Sequence, residues 1–219
     1  CGEGMSAKAG RAAGMGNFEL VDNLFQIVLL FCSAASAGIL ALRYRSRSLL
    51  ILSLAYVCFA MGTTYYVLYL VIIGIWPQVF YVSEVSWLAA WLFYLSVQIL
   101  RTEGIRRRFS WLSGAGAGLI ALVAFFDHAF GPSYFVSALF AFTVGATVFL
   151  SVIRIQSGCL YRKTDVLMTG CVVLQVLLYL VSDFTRDYTR FNFYFAVDIA
   201  LTLSMAALLP LMLREVRDK

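Results

Sequence analysis

Seven long apolar stretches, separated by short polar connections, divide this chain of 219 residues. Each has about 20 to 26 residues, the length that a helix needs to cross roughly 30 Å of hydrocarbon. The stretches are Phe18–Leu42, Leu49–Gly74, Pro77–Leu100, Phe109–Phe130, Ser133–Ile155, Asp165–Phe184 and Phe191–Leu213. The pattern predicts an all-α, polytopic membrane protein with one bundle of seven transmembrane helices, in which consecutive helices run antiparallel.

The same pattern predicts the domain organisation. Residues 1–16 contain no apolar stretch and are predicted to be a flexible N-terminal segment. Residues 17–214 form the seven-helix transmembrane domain, and residues 215–219 form a short cytoplasmic tail. No other segment is long enough for a separate soluble domain.

The composition agrees with a membrane protein and argues against most kinds of catalysis. Hydrophobic residues make up 62% of the chain and charged residues 13%, and a soluble domain could not bury so much apolar surface. His128 is the only histidine, which excludes haem held by two histidines and a three-histidine zinc site. The sequence also lacks a phosphate-binding loop and a nucleophile with a histidine base. We expect a protein that is not an enzyme and has no cofactor or metal.

Basic residues concentrate in alternate connections and thereby predict the orientation. They are Arg43, Arg45, Arg47, Arg101, Arg106, Arg107, Arg108, Arg154, Arg162, Lys163, Arg214, Arg217 and Lys219. The other connections have no excess of Lys or Arg. By the positive-inside rule, the N-terminus lies outside and the C-terminus lies in the cytoplasm, as expected for a multi-pass protein of the inner (cytoplasmic) cell membrane. This pattern accounts for most of the net charge of +5, so nucleic acid is not an expected partner.

The third stretch carries one aromatic and polar stripe. Residues at alternating steps of four and three share one face of a helix, and here they are Phe80, Glu84, Trp87, Trp91, Tyr94 and Gln98. A carboxyl group inside a spanning helix is costly unless it meets a partner, a proton or water. The position of Glu84 inside this predicted helix therefore indicates a functional site.

Further acidic and aromatic residues are predicted in the outer half of helices one, two, six and seven. The predicted ligand-binding residues are Glu84, Trp87, Trp91, Asp198, Tyr194, Tyr179, Gln175, Asp183, Tyr65 and Tyr69. Asp22 either joins them or lies in the headgroup layer. Alternatively, Glu84 and Asp198 bind hydroxyl groups across helices and only fix the packing. Helices four and five carry few polar groups and are predicted to be peripheral.

Two short runs suggest an internal duplication. The run 67–71, VLYLV, is echoed by 177–181, LLYLV, and each run precedes a helix in which an aromatic residue stands four positions before an acid. A plan of three helices, one helix and three helices, with parallel repeats, would explain the echo. Leucine-rich helices also produce such matches by chance.

The run 80–88, FYVSEVSWL, resembles helices of uncharacterised bacterial seven-helix modules that occur alone or ahead of signalling domains. This resemblance implies a sensory role. The orientation is also similar to that of microbial rhodopsins, whose last helix carries an Asp four residues before the retinal lysine. Asp198 fits the first position, but Thr202 stands at the second and no predicted span contains a lysine. Retinal attachment is therefore excluded.

Two functions follow from these patterns. The first is a non-enzymatic sensory or receptor-type module, whose outward-facing acidic and aromatic pocket binds a small cationic or aromatic ligand. The second is a small-solute transporter built from parallel repeats, in which Glu84 and Asp198 carry the substrate or a proton. The expected partners are the lipid bilayer, the small ligand, and either a cytoplasmic signalling protein or further copies of this chain.

Overall fold

A computed structural model of the chain describes residues 17–73, 81–103, 110–128, 133–158 and 161–218. Over these residues the chain forms seven α-helices and no strand. In chain order they are α1 (Asn17–Tyr44), α2 (Arg47–Ile73), α3 (Tyr81–Thr102), α4 (Trp111–His128), α5 (Tyr134–Gln156), α6 (Arg162–Phe184) and α7 (Phe193–Arg217). The prediction of an all-α protein is confirmed.

Six of the seven described helices are long and apolar enough to span a membrane. The exception is α4, whose 18 residues give a length of about 27 Å. Large apolar side chains are exposed on the outside of the bundle, among them Leu42 at 80% and Ile72 at 77%. Exposed leucines and isoleucines of this kind suit contact with lipid, so the helices support a polytopic membrane protein.

Six of the helices form a closed ring, and α4 lies outside it. Each helix of the ring packs against its two neighbours, in the order α1, α2, α3, α5, α6 and α7, and α7 returns to α1. In addition, α2 contacts α7 across the ring. The fourth helix packs only against α5 and α6 among the described helices. This places α3 across the ring from α7, and it places the first three and the last three helices in two halves.

The prediction that helices four and five are both peripheral is wrong for the fifth. The buried face of α5 includes Ser137, Thr143, Gly145, Thr147 and Ser151. Small side chains let helices approach closely, and a Cβ atom on Gly145 would lie 3.0 Å from the Cβ of Ala121 in α4. The hydroxyls of Thr143 and Thr147 donate to backbone carbonyls of their own helix. The helix is therefore central because its residues are small, although few of them carry a polar group that reaches another helix.

Some sequence predictions fall outside the described residues. They are the flexible segment 1–16, the stripe residue Phe80 with the start of the run 80–88, and the three arginines at 106–108. Within the described part, α3 begins at Tyr81, so Glu84 lies in its first turn. The predicted start of this stretch at Pro77 lies outside the described residues.

Candidate functional site

A cavity of about 390 Å³ lies at the end of the bundle where α1 begins, between helices of the ring and Asp127 of α4. We call this the N-terminal end, and the end where α7 finishes the C-terminal end. The carboxyl side chains that line the cavity are Glu19, Glu84, Asp127, Asp183 and Asp198. The aromatic ones are Phe59, Tyr66, Trp87, Tyr179, Tyr188 and Tyr194. Asn23, Gln26, Gln175, Ser182 and Leu178 complete the lining.

The structure brings together seven of the ten residues that the sequence predicted for ligand binding. Those in the cavity wall are Glu84, Trp87, Gln175, Tyr179, Asp183, Tyr194 and Asp198. They come from α3, α6 and α7. Whether these residues bind a ligand stays a prediction.

The other three predicted residues lie outside the cavity wall. Trp91 is one turn deeper than Trp87 and completely buried, with its ring centroid 5.3 Å from that of Tyr94. Tyr65 and Tyr69 stand four residues apart on one face of α2 and pack on each other, with centroids 6.2 Å apart. Tyr66 faces the cavity instead, because one step along a helix turns a side chain by roughly 100°.

The first helix supplies the residues that sequence reasoning missed. Glu19, Asn23 and Gln26 stand four and three residues apart, so they form one stripe toward the cavity. Only Asp22 was considered in this helix, because the amides Asn23 and Gln26 carry no charge and Glu19 stands at the start of the predicted stretch. The spacing of the three residues was the signal that would have found them.

Gln26 is the centre of a hydrogen-bond network beneath the cavity. Its Nε2 donates to Asp198 Oδ1 and to Thr202 Oγ1, both at 2.9 Å. Its Oε1 accepts from the Thr63 hydroxyl at 2.6 Å, and Trp87 Nε1 donates to the same hydroxyl at 3.4 Å. One amide thus holds α1, α2, α3 and α7 in register around Asp198.

Asp198 also faces a second acid. Asp22 is 4% exposed and its carboxyl lies within hydrogen-bonding reach of the Asp198 carboxyl. Two carboxyl groups so close repel each other when both are ionised. A cation in the cavity would relieve that repulsion.

Two tyrosines orient groups near the mouth of the cavity. The Tyr66 hydroxyl donates to Glu19 Oε1 at 2.7 Å. Tyr188 lies in the connection between α6 and α7, and burial, followed by the charges of Glu19 and Asp183, raises the pKa of its hydroxyl. Tyr188 therefore keeps its proton at neutral pH, and its hydroxyl donates to the Ser182 carbonyl at 3.2 Å.

Gln175 carries the clearest unused polar atom in the wall. The side chain is 3% exposed, and its Oε1 has no hydrogen-bond partner among the described residues. A buried carbonyl oxygen without a donor costs about 1–3 kcal/mol. A ligand that donates a hydrogen bond at this point would recover that cost.

Tyr56, Trp91 and Tyr94 lie completely buried beyond the cavity, in the middle of the bundle. The Tyr56 hydroxyl donates to the Met205 carbonyl at 2.6 Å. By contrast, Trp91 Nε1 and the Tyr94 hydroxyl have no partner among the described residues. This aromatic layer separates the cavity from the C-terminal end.

The C-terminal end holds a buried network of charges that sequence reasoning also missed. Arg101 binds Asp165 at 2.7 Å and Glu215 at 2.8 Å, and Arg154 binds Asp165 at 3.0 Å and Glu215 at 3.6 Å. Gln98 donates to Asp165 at 3.3 Å and accepts from Arg101 at 2.7 Å. We call these four charged residues the ion-pair network.

Three members of the network were assigned to other roles by sequence. Arg101 and Arg154 were placed in connections as orientation signals, but they lie inside α3 and α5 and are 5% and 3% exposed. Glu215 was placed in the tail, but α7 continues to Arg217 and buries it. The only sequence signal was that the acids Asp165 and Glu215 stand near predicted helix ends on the same side of the membrane as Arg101 and Arg154.

Known proteins offer no guide to the role of the cavity or of the ion-pair network. Comparisons with protein-family models, with curated proteins and with solved structures found no match for this chain. Within the described residues, no group of three or more His, Cys, Asp or Glu side chains is placed to hold a metal ion. The cavity and the ion-pair network are therefore the features that bear on function.

Proposed function

We propose that this protein is a non-enzymatic membrane receptor-type module whose cavity binds a small organic cation. The observation that carries the proposal is one cavity with five carboxyl groups and six aromatic rings. No Lys or Arg side chain stands among the described residues that line it. Carboxylates attract a cation strongly where water is scarce, and aromatic faces add cation–π contacts.

The cavity also suits the apolar part of such a ligand. Ligand sites are mostly concave and apolar, with a few polar groups that fix the orientation. Here Phe59, Trp87 and Leu178 supply apolar wall, while Gln175 offers a carbonyl oxygen without a partner. An alkyl or aryl ammonium ion satisfies both kinds of surface, because its N–H groups donate and its carbon body packs.

The third helix supports a receptor role. Its stripe begins in the cavity with Glu84 and Trp87, passes Trp91 and Tyr94 in the aromatic layer, and ends at Gln98, which binds Arg101 of the ion-pair network. A ligand that moves the start of α3 would therefore disturb the network at the other end. A cytoplasmic signalling protein or a second copy of the chain would respond to that change.

A small-solute transporter is the second candidate function, and the arrangement of the helices in the ring supports it. Helices α1–α3 and α5–α7 occupy opposite halves of the ring with α4 outside, as parallel three-helix repeats would. Trp91 Nε1 and the Tyr94 hydroxyl also offer polar atoms between the two ends. In this alternative, Glu84 and Asp198 carry the solute or a proton.

We also propose that the N-terminal end faces outward across the inner membrane. The test uses Thr189→Cys and Ser157→Cys in a chain without its own cysteines, since both residues are exposed and lie at opposite ends. In intact cells an impermeant thiol reagent should label the cysteine at 189 and spare that at 157. The reverse pattern would overturn the orientation.

Binding is tested by thermal unfolding of purified protein with choline, butylamine and phenethylamine. We expect at least one of these cations to stabilise the wild type and Glu84→Gln to weaken its binding by about thirty-fold or more. The amide keeps the shape and loses the charge. If no cation stabilises the wild type, and Glu84→Gln unfolds like the wild type while Glu84→Ala unfolds earlier, Glu84 is a packing residue and the proposal fails.

Transport is tested with the same cation in proteoliposomes. A transporter would accumulate or exchange the labelled amine across the membrane, and Asp198→Asn would abolish the exchange. A receptor-type module would bind the amine on one side and show no exchange above that of empty liposomes.

A further inference from the structure

A second cavity lies at the C-terminal end of the bundle, between the start of α6 and the end of α7. Its volume is about 820 Å³, and its described lining comes from these two helices and the residues next to them. We call it the α6–α7 groove. Its basic and apolar lining residues are Arg162, Lys163, Val166, Leu167, Leu211 and Arg214.

The rim of the groove is basic. Arg162 and Lys163 of α6 and Arg214 of α7 are all exposed. None of the three forms an ion pair with another described residue, and Asp218 is the one acid in the described lining. The ion-pair network nearby balances its charges, whereas this rim has a surplus of positive charge that an anionic group can neutralise.

Apolar side chains lie one helical turn further from the end of the bundle than the basic ones. On α6, Val166 follows Arg162 by four residues, and on α7, Leu211 precedes Arg214 by three. Residues at these spacings share one face of a helix, and one turn advances it by about 5 Å. Because Val166 is 52% exposed, the apolar wall of the groove opens to the outside of the bundle, where lipid surrounds a spanning helix.

We propose that the α6–α7 groove binds an anionic phospholipid from the surrounding bilayer. The phosphate lies against the basic rim, where an arginine can bind two phosphate oxygens at once, and the start of an acyl chain packs on Val166 and Leu211. A soluble anion would leave the apolar wall unused, and a zwitterionic lipid would bring an ammonium group against a basic rim. This inference is independent of the cation-binding cavity at the other end.

Basic residues at the end of a spanning helix also have a common role as orientation signals. That role needs only their number and their side of the membrane, whereas a lipid site needs them around one groove. Arg43, Arg45 and Arg47 provide the comparison. They are exposed at the same end of the bundle, where α1 ends and α2 begins, and they do not line the groove.

The experiment measures lipid binding to the purified full chain in a neutral detergent by native mass spectrometry. The probes are phosphatidylglycerol and phosphatidylcholine with identical acyl chains. We expect the wild type to bind phosphatidylglycerol at least about tenfold more tightly. The variant Arg162→Gln/Lys163→Gln/Arg214→Gln should lose most of this preference. The control Arg43→Gln/Arg45→Gln/Arg47→Gln removes the same charge at the same end and should retain it.

Val166→Phe tests the apolar wall separately from the charges. The larger ring keeps an exposed position apolar, so the variant should unfold like the wild type in lipid-free detergent. It also fills part of the groove and should therefore weaken the binding of phosphatidylglycerol. Inorganic phosphate should not displace the lipid, because it gains nothing from the wall.

The outcomes that would overturn the inference are distinct. Equal binding of the two lipids by the wild type would remove the need for a basic site. An equal loss of preference in both triple variants would show that the number of charges decides and the groove does not. Displacement of the lipid by inorganic phosphate would reveal a simple anion site. If the groove triple variant does not fold, Val166→Phe decides, and unchanged phosphatidylglycerol binding in that variant would contradict the proposal.

Discussion

The two ends of this bundle use the same charged residue types in opposite ways. At the C-terminal end, Arg101 and Arg154 face Asp165 and Glu215, so that each charge meets its opposite. At the N-terminal end, five carboxyl groups line one cavity and no basic side chain stands among the described lining residues. A balanced set holds helices together, whereas an unbalanced set leaves a site that a cation can complete.

The ion-pair network should also be the more costly of the two to disturb. Its four charged residues are between 0% and 5% exposed, and a buried charge that loses its partner has no water to replace it. The cavity acids retain access to the cavity, and water or a ligand can solvate them there. The predictions below depend on that difference.

The largest effect is expected for Arg101→Ala. This change leaves Asp165 and Glu215 with less counter-charge in a buried position, which should lower the free energy of unfolding by about 3–5 kcal/mol. The measurement is thermal or denaturant unfolding in detergent. Arg214→Ala is the control, because Arg214 is exposed at the same end and should change the stability by less than about 0.5 kcal/mol. Equal losses would show that the network contributes no more than a surface charge.

A smaller effect is expected for Gly62→Ala at the cavity. A Cβ at this position would lie 2.8 Å from the Trp87 ring and 3.1 Å from the Ser83 carbonyl. Overpacking of this kind costs about 1–3 kcal/mol, and the displaced Trp87 should weaken amine binding as well. Gly170→Ala is the control, since its new Cβ would meet nothing within 4 Å. A silent Gly62→Ala would mean that Trp87 moves freely and does not shape the wall.

The smallest effects are expected in the aromatic layer, where two buried tyrosines should respond differently. Tyr56→Phe removes the hydrogen bond to Met205 and should cost about 0.5–1.5 kcal/mol. Tyr94→Phe removes a hydroxyl that has no partner among the described residues, so it should be neutral or slightly stabilising. Measuring the unfolding of both variants under one condition tests the sign of each change in the free energy of unfolding. A clear loss in Tyr94→Phe would reveal a partner for that hydroxyl.

The sequence predicted the cavity end better than the network end, and the reason is physical. Glu84 and Asp198 stand out because a carboxyl group inside an apolar helix is costly unless it meets a partner, a proton or water. Trp87 stands out because it shares a helix face with Glu84. Arginines at helix ends have a common alternative role as orientation signals. Arg101 and Arg154 therefore looked like connection residues, and their partners, Asp165 and Glu215, are distant in sequence from Arg101.

The position of α5 could not be predicted for a different reason. Hydropathy identifies a spanning helix but does not show which neighbours it packs against. Ser137, Gly145 and Thr147 suggested a face without functional groups, and close packing of that face makes α5 the most buried candidate span. Glycines and hydroxyls in a spanning helix indicate close contact even when they suggest no chemistry.

The most direct test of the contrast between the two ends is the same substitution made at each. Asp165→Asn and Asp198→Asn each replace a carboxyl group by an amide in side chains that are 0% and 6% exposed. In unfolding of both variants without ligand, Asp165→Asn should lower Tm because Arg101 and Arg154 lose a counter-charge. Asp198→Asn should leave Tm unchanged or raise it, because the amide can donate to Asp22 while its oxygen still accepts from Gln26. An equal fall in Tm for both variants would contradict this account, since Asp198 would then hold the fold as Asp165 does.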